Sequence, residues 1–340
     1  MAYINVADNA LNAGYSGANF NEMFLQPVFT DEDIMSNYRV IPNVRHTLNL
    51  YKADPLSCVV QSYDGCDDTD YTGKDFDVSQ RVITAGRMRV ALEQCQDEFF
   101  GTYIEESYRA GLDVFNLTGT DLMNTIMTNV KRSITNDLVN LAWFGDTGQS
   151  ESSECLNSTD GFLHHMLDGS TGITPVTWAN GALAANDAVD AMRDVMEGSD
   201  PALLAMQNSE KCFWVSPNVF FNYVASVENL TATGFGGDLS LMRGEDGKAV
   251  YTFRGIEVRP MYSWTSNLST ANAWSSTANQ LIVLGAKKNF VIGTDTNDPS
   301  NQLKFWYDEY REKMIIRSYF KFGTQFVHDS LISWAYRKDS

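Results

Sequence analysis

One triplet carries the lettering of a known acid–base centre, Asp146-Thr147-Gly148. In aspartic proteases such a triplet supplies one of two carboxylates that share a proton to activate water. A second copy is required, and the nearest match, Asp295-Thr296-Asn297, lacks the glycine. Asp146 also closes a run of helical periodicity, so it reads as a helix end and turn, with a hydrolase using Asp146 as the alternative. Asp68-x-Asp70-x-Thr72-Gly73 imitates the first half of a calcium loop, but Ser79 stands where a bidentate Glu is needed. His164-His165 is the one adjacent histidine pair, and neighbours on a regular element cannot both face one metal. His46 and His328 are far away in sequence, no Cys or Ser has a nucleophile signature, and Gly234-Phe-Gly-Gly237 reads as a turn. No phosphate-cradling or dinucleotide fingerprint occurs. The expectation is a protein that is not an enzyme, with no catalytic residue, no cofactor and no metal site.

Composition points the same way. The 340 residues are 44% apolar and 12% aromatic, enough for an ample core in one large or about two ordinary domains. Acidic side chains number 43 against 25 basic, and the net charge of −18 opposes sequence-independent binding to phosphate backbones. The adjacent Lys287 and Lys288 read as a solvated strand end. Five cysteines (Cys58, Cys66, Cys95, Cys155, Cys212) are odd in number and lack any C-x-x-C pair, which predicts neither a disulfide framework nor a zinc knuckle and suits a reducing cytoplasm. Met1-Ala-Tyr-Ile-Asn-Val-Ala-Asp has no secretory pattern, and no window approaches the roughly 18 apolar residues of a membrane span.

The elements that must position these residues follow from periodicity. Residues 1 to about 50 scatter Tyr3, Tyr15, Phe20, Phe24 and Phe29 without period and read as an arm lying along another surface. Between Cys58-Val-Val and Val82-Ile-Thr the chain is polar and acidic, which predicts two strands carrying a long projecting loop. Ala91, Leu92, Cys95, Phe99, Phe100, Tyr103 and Ile104 predict an amphipathic helix over Ala91 to Glu106. Thr118-Gly-Thr-Asp121 then supplies a capping signal, and Leu122, Ile126, Val130, Ile134, Leu138 and Leu141 recur every three or four residues. They predict one helix from Thr120 to Phe144, about 37 Å long at 1.5 Å per residue, with Thr125, Asn129, Arg132 and Asn136 opposite. After Thr174-Pro175 come a helix from Ala182 to Glu197, a strand Lys211–Val215, a helix opened by Ser216 and Pro217, and strands in Gly255–Met261 and Leu281–Leu284. In the tail Met314, Ile316, Ser318, Phe320 and Phe322 alternate with Ile315, Arg317, Tyr319 and Lys321, predicting a long strand with the first set buried.

This order resembles the major capsid protein of tailed bacteriophages, the Hong Kong 97 fold, over nearly the whole chain. The resemblance is carried by Ile134 to Gly145 leading to Asn157-Ser-Thr-Asp-Gly-Phe-Leu, by Phe213-Trp-Val-Ser-Pro-Asn, by Arg254-Gly-Ile-Glu-Val, and by Lys313-Met-Ile-Ile-Arg with Phe326-Val. It implies an α+β fold with an N-terminal arm over 1–54, an extended loop over 55–90, a peripheral domain with a spine helix over 91–173 and 296–340, and an inserted axial domain over 174–295. It further implies self-assembly through hexamers and pentamers into the icosahedral head shell of the virion. Such a shell encloses double-stranded DNA without reading its sequence, takes portal and scaffolding proteins as partners, has no membrane, and is assembled in the bacterial host cytoplasm. A tail or tube subunit is the other structural alternative, though it does not usually carry a spine helix. Some family members link a loop lysine to a neighbour's asparagine; Lys74 lies in the loop, but no Asn or assisting Glu can be matched to it. The arm begins close to Met1, which leaves the family's removable scaffolding segment without an expected counterpart.

Overall fold

The computed structural model describes residues 38–53, 60, 78–95, 121–148, 156–168, 173–232, 241–243, 249–265, 268, 279–295, 304–308, 310–311 and 313–338. The arm through residue 37, nearly all of the loop between 54 and 77, and the linker over 149–155 lie outside the described residues. In chain order come β1 (Arg39–Ile41), β2 (Thr47–Ala53), β3 (Val78–Thr84), β4 (Gly86–Cys95) and the helix α1 (Asp121–Phe144). The helices α2 (Phe162–Leu167), α3 (Asp187–Glu197) and α4 (Pro201–Ala205) lead to β5 (Lys211–Val215) and α5 (Pro217–Ala232). Then follow β6 (Leu241–Arg243), β7 (Ala249–Phe253), β8 (Ile256–Pro260), β9 (Gln280–Ala286), β10 (Phe290–Thr294), β11 (Lys304–Asp308), β12 (Lys313–Phe326) and β13 (Ile332–Arg337).

The long tail strand β12 organises the first sheet, pairing with β10, β11 and β4, while β1 joins the outer edge of β10 in parallel. Its pairing with β4 runs from Gly86 opposite Phe322 to Cys95 opposite Lys313. Met314, Ile316, Ser318, Phe320 and Phe322 are buried, as the alternation predicts. Ala91 to Cys95, however, is strand rather than helix. Met88, Val90 and Leu92 alternate toward the core, and pairing along β12 satisfies the backbone that a helix would have satisfied locally. Apolar spacings of three and four residues fit both geometries until the partner strand is known; the predicted helix beyond residue 95 lies outside the described residues. β1 and the start of β2 are strands within the stretch read as without period, because three residues are too few to show one. β2 and β3 pair from Thr47 opposite Thr84 to Ala53 opposite Val78, so the strand before the loop lies earlier than Cys58-Val-Val.

α1 spans 24 residues, starting one residue after the predicted boundary. Val130, Ile134, Leu138 and Leu141 are buried, and Asn129 and Arg132 are exposed. Each buried aliphatic side chain contributes about 1.5–3 kcal/mol. The second sheet has the order β13-β9-β5-β8-β7-β6 and is covered by α3 and α5 through Ala191, Met192, Val195, Val219 and Tyr223. α3 starts at Asp187, later than the predicted Ala182, because Asn186 takes a left-handed φ of 69° and the Asp187 carboxylate accepts the Ala184 amide. The chain passes directly from β9 in the second sheet to β10 in the first, and returns from β12 to β13. Buried Asn289 joins these two crossovers: its Nδ2 donates to the His328 carbonyl at 2.8 Å, and its Oδ1 accepts the Val327 and His328 amides.

Ile134→Asp places an unpaired carboxylate on the buried face of α1 and is expected to cost several kcal/mol. Arg132→Ala, about 160° away around the helix, is expected to cost under ~1 kcal/mol. Thermal unfolding of the two variants beside the parent checks this; equal melting temperatures would overturn the buried-face description of α1.

Candidate functional site

The chain turns sharply where α1 ends. The Gly145 amide donates to the Leu141 carbonyl at 2.9 Å, the Asp146 amide to Leu156 at 2.8 Å, and the Gly161 amide to Gly145 at 2.8 Å. A Cβ on Gly161 would lie 2.7 Å from the Gly145 nitrogen and 2.8 Å from the Trp143 carbonyl, so only glycine allows the two backbones to cross. In this crossing the Asp146 Oδ1 accepts the Gly148 amide at 2.8 Å, and Asp160 Oδ1 accepts both the amide and the hydroxyl of Thr147, at 2.9 and 2.8 Å. His164, in the first turn of α2, lies between the carboxylates, with Nδ1 3.4 Å from Asp146 and Nε2 3.9 Å from Asp160.

Asp146 is therefore the helix-end turn that its spacing predicted, grouped with Asp160 and His164. Asp295 instead accepts the Lys321 amide at 2.9 Å. Asp146, Asp160 and His164 offer ligand atoms within 4.8 Å of one another. His164 addresses the two carboxylates through opposite ring nitrogens, and the oxygens it faces already accept backbone or hydroxyl protons. That is the geometry of an imidazole tying α1 to α2, since one ion takes only one nitrogen of a ring. Adjacency drew the sequence reading to His164-His165, yet His165 points inward, with Nε2 3.1 Å from the Thr324 carbonyl. Burial holds its pKa below the ordinary histidine value, against the opposing pull of that carbonyl and Asp160. Burial pushes Asp160 up, but the two hydrogen bonds from Thr147, with His164 and His165 nearby, hold it below the usual carboxylate range.

Charge elsewhere is arranged differently from its sequence reading. Lys287 is not simply solvated: it meets Glu257 at 2.7 Å, beside the Arg259 contact to the same carboxylate, while Lys288 stays exposed. The Cys212 thiol is free and fully buried, and burial pushes its pKa up, which leaves it unreactive. A basic surface was missed altogether. Arg87 and Arg89 on β4, Arg317, Tyr319 and Lys321 on β12, and Lys304 on β11 share the face of the first sheet that points away from the core. These basic residues are neighbours only through strand pairing; Arg87-x-Arg89 and Arg317-x-x-x-Lys321, spaced by two and four, were the available signal.

No family model and no curated protein matches the sequence. By structure the chain is similar to the capsid of the Myoviridae phage XM1, with 93% of this chain and 95% of that one covered, a TM-score of 0.56 and 10% identity. It is also similar to the capsid of an empty GTA particle, covering 98% and 99% at a TM-score of 0.53 and 13% identity. The chain has the Hong Kong 97-like phage capsid fold. A third likeness, to the satellite phage P4 procapsid that includes the size determination protein Sid, covers 94% of both chains at a TM-score of 0.55 and 9% identity. Because the cover is nearly complete in both directions, the capsid fold describes the whole chain rather than one shared domain. Within it, α1 is the long helix under the first sheet and the β2–β3 pair is the base from which the acidic segment leaves.

Asp146→Asn keeps an oxygen that can accept the Gly148 amide, so it is expected to change stability by under ~1 kcal/mol. Asp160 has a depressed pKa in the folded state, so its contribution is present above the ordinary carboxylate value of about 3.9 and is lost as pH falls through its own lower value. The melting temperature of Asp160→Asn should therefore lie below that of the parent at pH 7 and converge with it on acidification. A gap that widens in acid would contradict this.

Proposed function

We propose that this chain is a structural major capsid protein that self-assembles through hexamers and pentamers into the icosahedral head shell around phage double-stranded DNA. The observation that carries the reading is the capsid fold over nearly the full length of both chains compared. The net charge of −18 agrees with it, because a wall around packed DNA is served by low affinity for phosphate. In this reading residues 1–54 are the arm, 55–90 the extended loop, 91–173 with 296–340 the peripheral domain, and 174–295 the inserted axial domain. Within this division we group β1, β10 and the whole of β4 with the first sheet and β13 with the second, following how the strands pair. Portal and scaffolding proteins are the proposed partners and the host cytoplasm the place of assembly. The protein is read as not an enzyme, with Asp146 serving the turn.

Electron microscopy of the purified chain, alone and with co-expressed phage proteins, tests the proposal. Hollow icosahedral shells are expected; tubes would favour the tail alternative, and persistent monomers with hydrolytic activity sensitive to Asp146→Asn would revive the hydrolase. The segment Asp64–Asp77 should be cut quickly by protease in free subunits and protected in shells, since a polar projecting segment gains order by docking. Equal cutting in both states would remove the extended-loop assignment.

A further inference from the structure

The segment that leads into α3 is strapped across the outer edge of β13. The Val176 amide donates to the Trp334 carbonyl at 2.8 Å, and Val176 pairs in parallel with Ala335. Farther along, Lys338 ties the strap at two adjacent residues. Its amide donates to Asn180 Oδ1 at 3.0 Å, and its carbonyl accepts the Gly181 amide at 3.1 Å. Arg337, 3% exposed, donates from its guanidinium to the Gly181 carbonyl, meets Asp187 at 3.1 Å and lies over the Trp178 ring at 4.9 Å. A strap of this kind occupies edge groups that would otherwise be open to another strand. Asn180-Gly181 is also the one Asn-Gly pair in the sequence.

We infer that Asn180 is a site of self-modification to aspartate or isoaspartate, and that the main chain of Lys338 is its guard. Such a pair cyclises readily, because glycine sets no Cβ in the path of its own nitrogen. The Gly181 nitrogen attacks Asn180 Cγ and a new N–C bond closes a succinimide. The bond from Cγ to the side-chain nitrogen breaks, and that nitrogen leaves as ammonia with the proton that Gly181 gives up. Solvent water then opens the ring. Both partners in this step are held by one residue, the electrophile through Oδ1 and the nucleophile through its N–H. Ring closure must break the second bond and turn the carboxamide away from the first. Crowding adds no further barrier: Gly181 stands at φ 137°, and a Cβ there would meet nothing within 4 Å. The reaction therefore runs from locally opened states, at a rate set by how often the end of β13 lifts. Its outcome is one-way. Isoaspartate routes the main chain through the former side chain and lengthens the strap by one atom, so the Gly181 amide and carbonyl no longer face Lys338 and Arg337 together. The edge of β13 is then released. This chemistry needs only the chain and water, whether the chain is free or assembled.

The test is incubation of the full chain at mildly alkaline pH, with conversion at Asn180 followed by peptide mass beside a free peptide of residues 176–186. The folded chain should convert at least tenfold more slowly than the peptide. A chain ending at Arg337, which lacks both Lys338 groups, should convert within threefold of the peptide while its melting temperature stays near the parent's. Arg337→Lys keeps the charge but loses the guanidinium contact to Gly181, and it should fall between the two, so the test stands even if the shortened chain folds badly. In converted full chain, separated by its added charge, the Val176 amide should exchange with deuterium at least tenfold faster, while the amides of β5 keep the parent's rates. A parent that converts as fast as the peptide, or a shortened chain as protected as the parent, would overturn the guard. Unchanged exchange at Val176 after conversion would overturn the release of the edge.

Discussion

Everything in this subunit hangs from the packing around Trp143. Its indole contacts Trp264 with ring centres 4.8 Å apart, Phe162 at 5.4 Å and Phe290 at 5.7 Å, and its Nε1 donates to the Tyr38 hydroxyl at 2.9 Å. Trp214 from the middle of β5 joins at 5.9 Å. The end of α1, the start of α2, both sheets and the first described residue of the chain therefore meet in one cluster, where edge-to-face pairs add about 0.5–1.5 kcal/mol each beyond burial. The glycine crossing at 145 and 161 exists to let these rings close, since a methyl group on Gly161 would push the α2 segment off the Trp143 backbone. The His164 bridge between Asp146 and Asp160 lies on the solvent side of the same crossing, which gives the one acid–base cluster of the helix end a positioning role.

Long elements were legible because many residues vote for one period. The stripe of α1 located that helix to within a residue, and the alternation in β12 named five buried residues, while Ile315 from the opposite set is buried as well. β5, followed by the helix-start signal at Ser216-Pro217, was legible too. Short or ambiguous elements were not. β4 was misread because Ala91, Leu92 and Cys95 suit a helix until β12 arrives from more than two hundred residues away. β1 carries only three residues, and α3 yields its first turn to the local hydrogen bond of Asp187.

The same limit governs the sites. A motif such as Asp146-Thr147-Gly148 is visible in a string, and its dismissal followed from the helix it terminates. Asp160 becomes visible only once the 145–161 crossing brings Thr147 to it, and the basic face only once β4 and β12 are paired, because neither has a local pattern beyond a spacing of two or four. Net charge hid the basic face as well: an average over 340 residues says little about one side of one sheet.

The double crossover at Asn289 has a mechanical meaning. The links from β9 to β10 and from β12 to β13 run side by side and are stitched through one buried side chain, so the two sheets are sewn along a seam instead of being joined by a single tether. The crossover from β9 to β10 and the return from β12 to β13 are thus held within one side chain's hydrogen bonds of each other. In the proposed shell such a unit would meet internal pressure at the joints between copies before its own two sheets came apart.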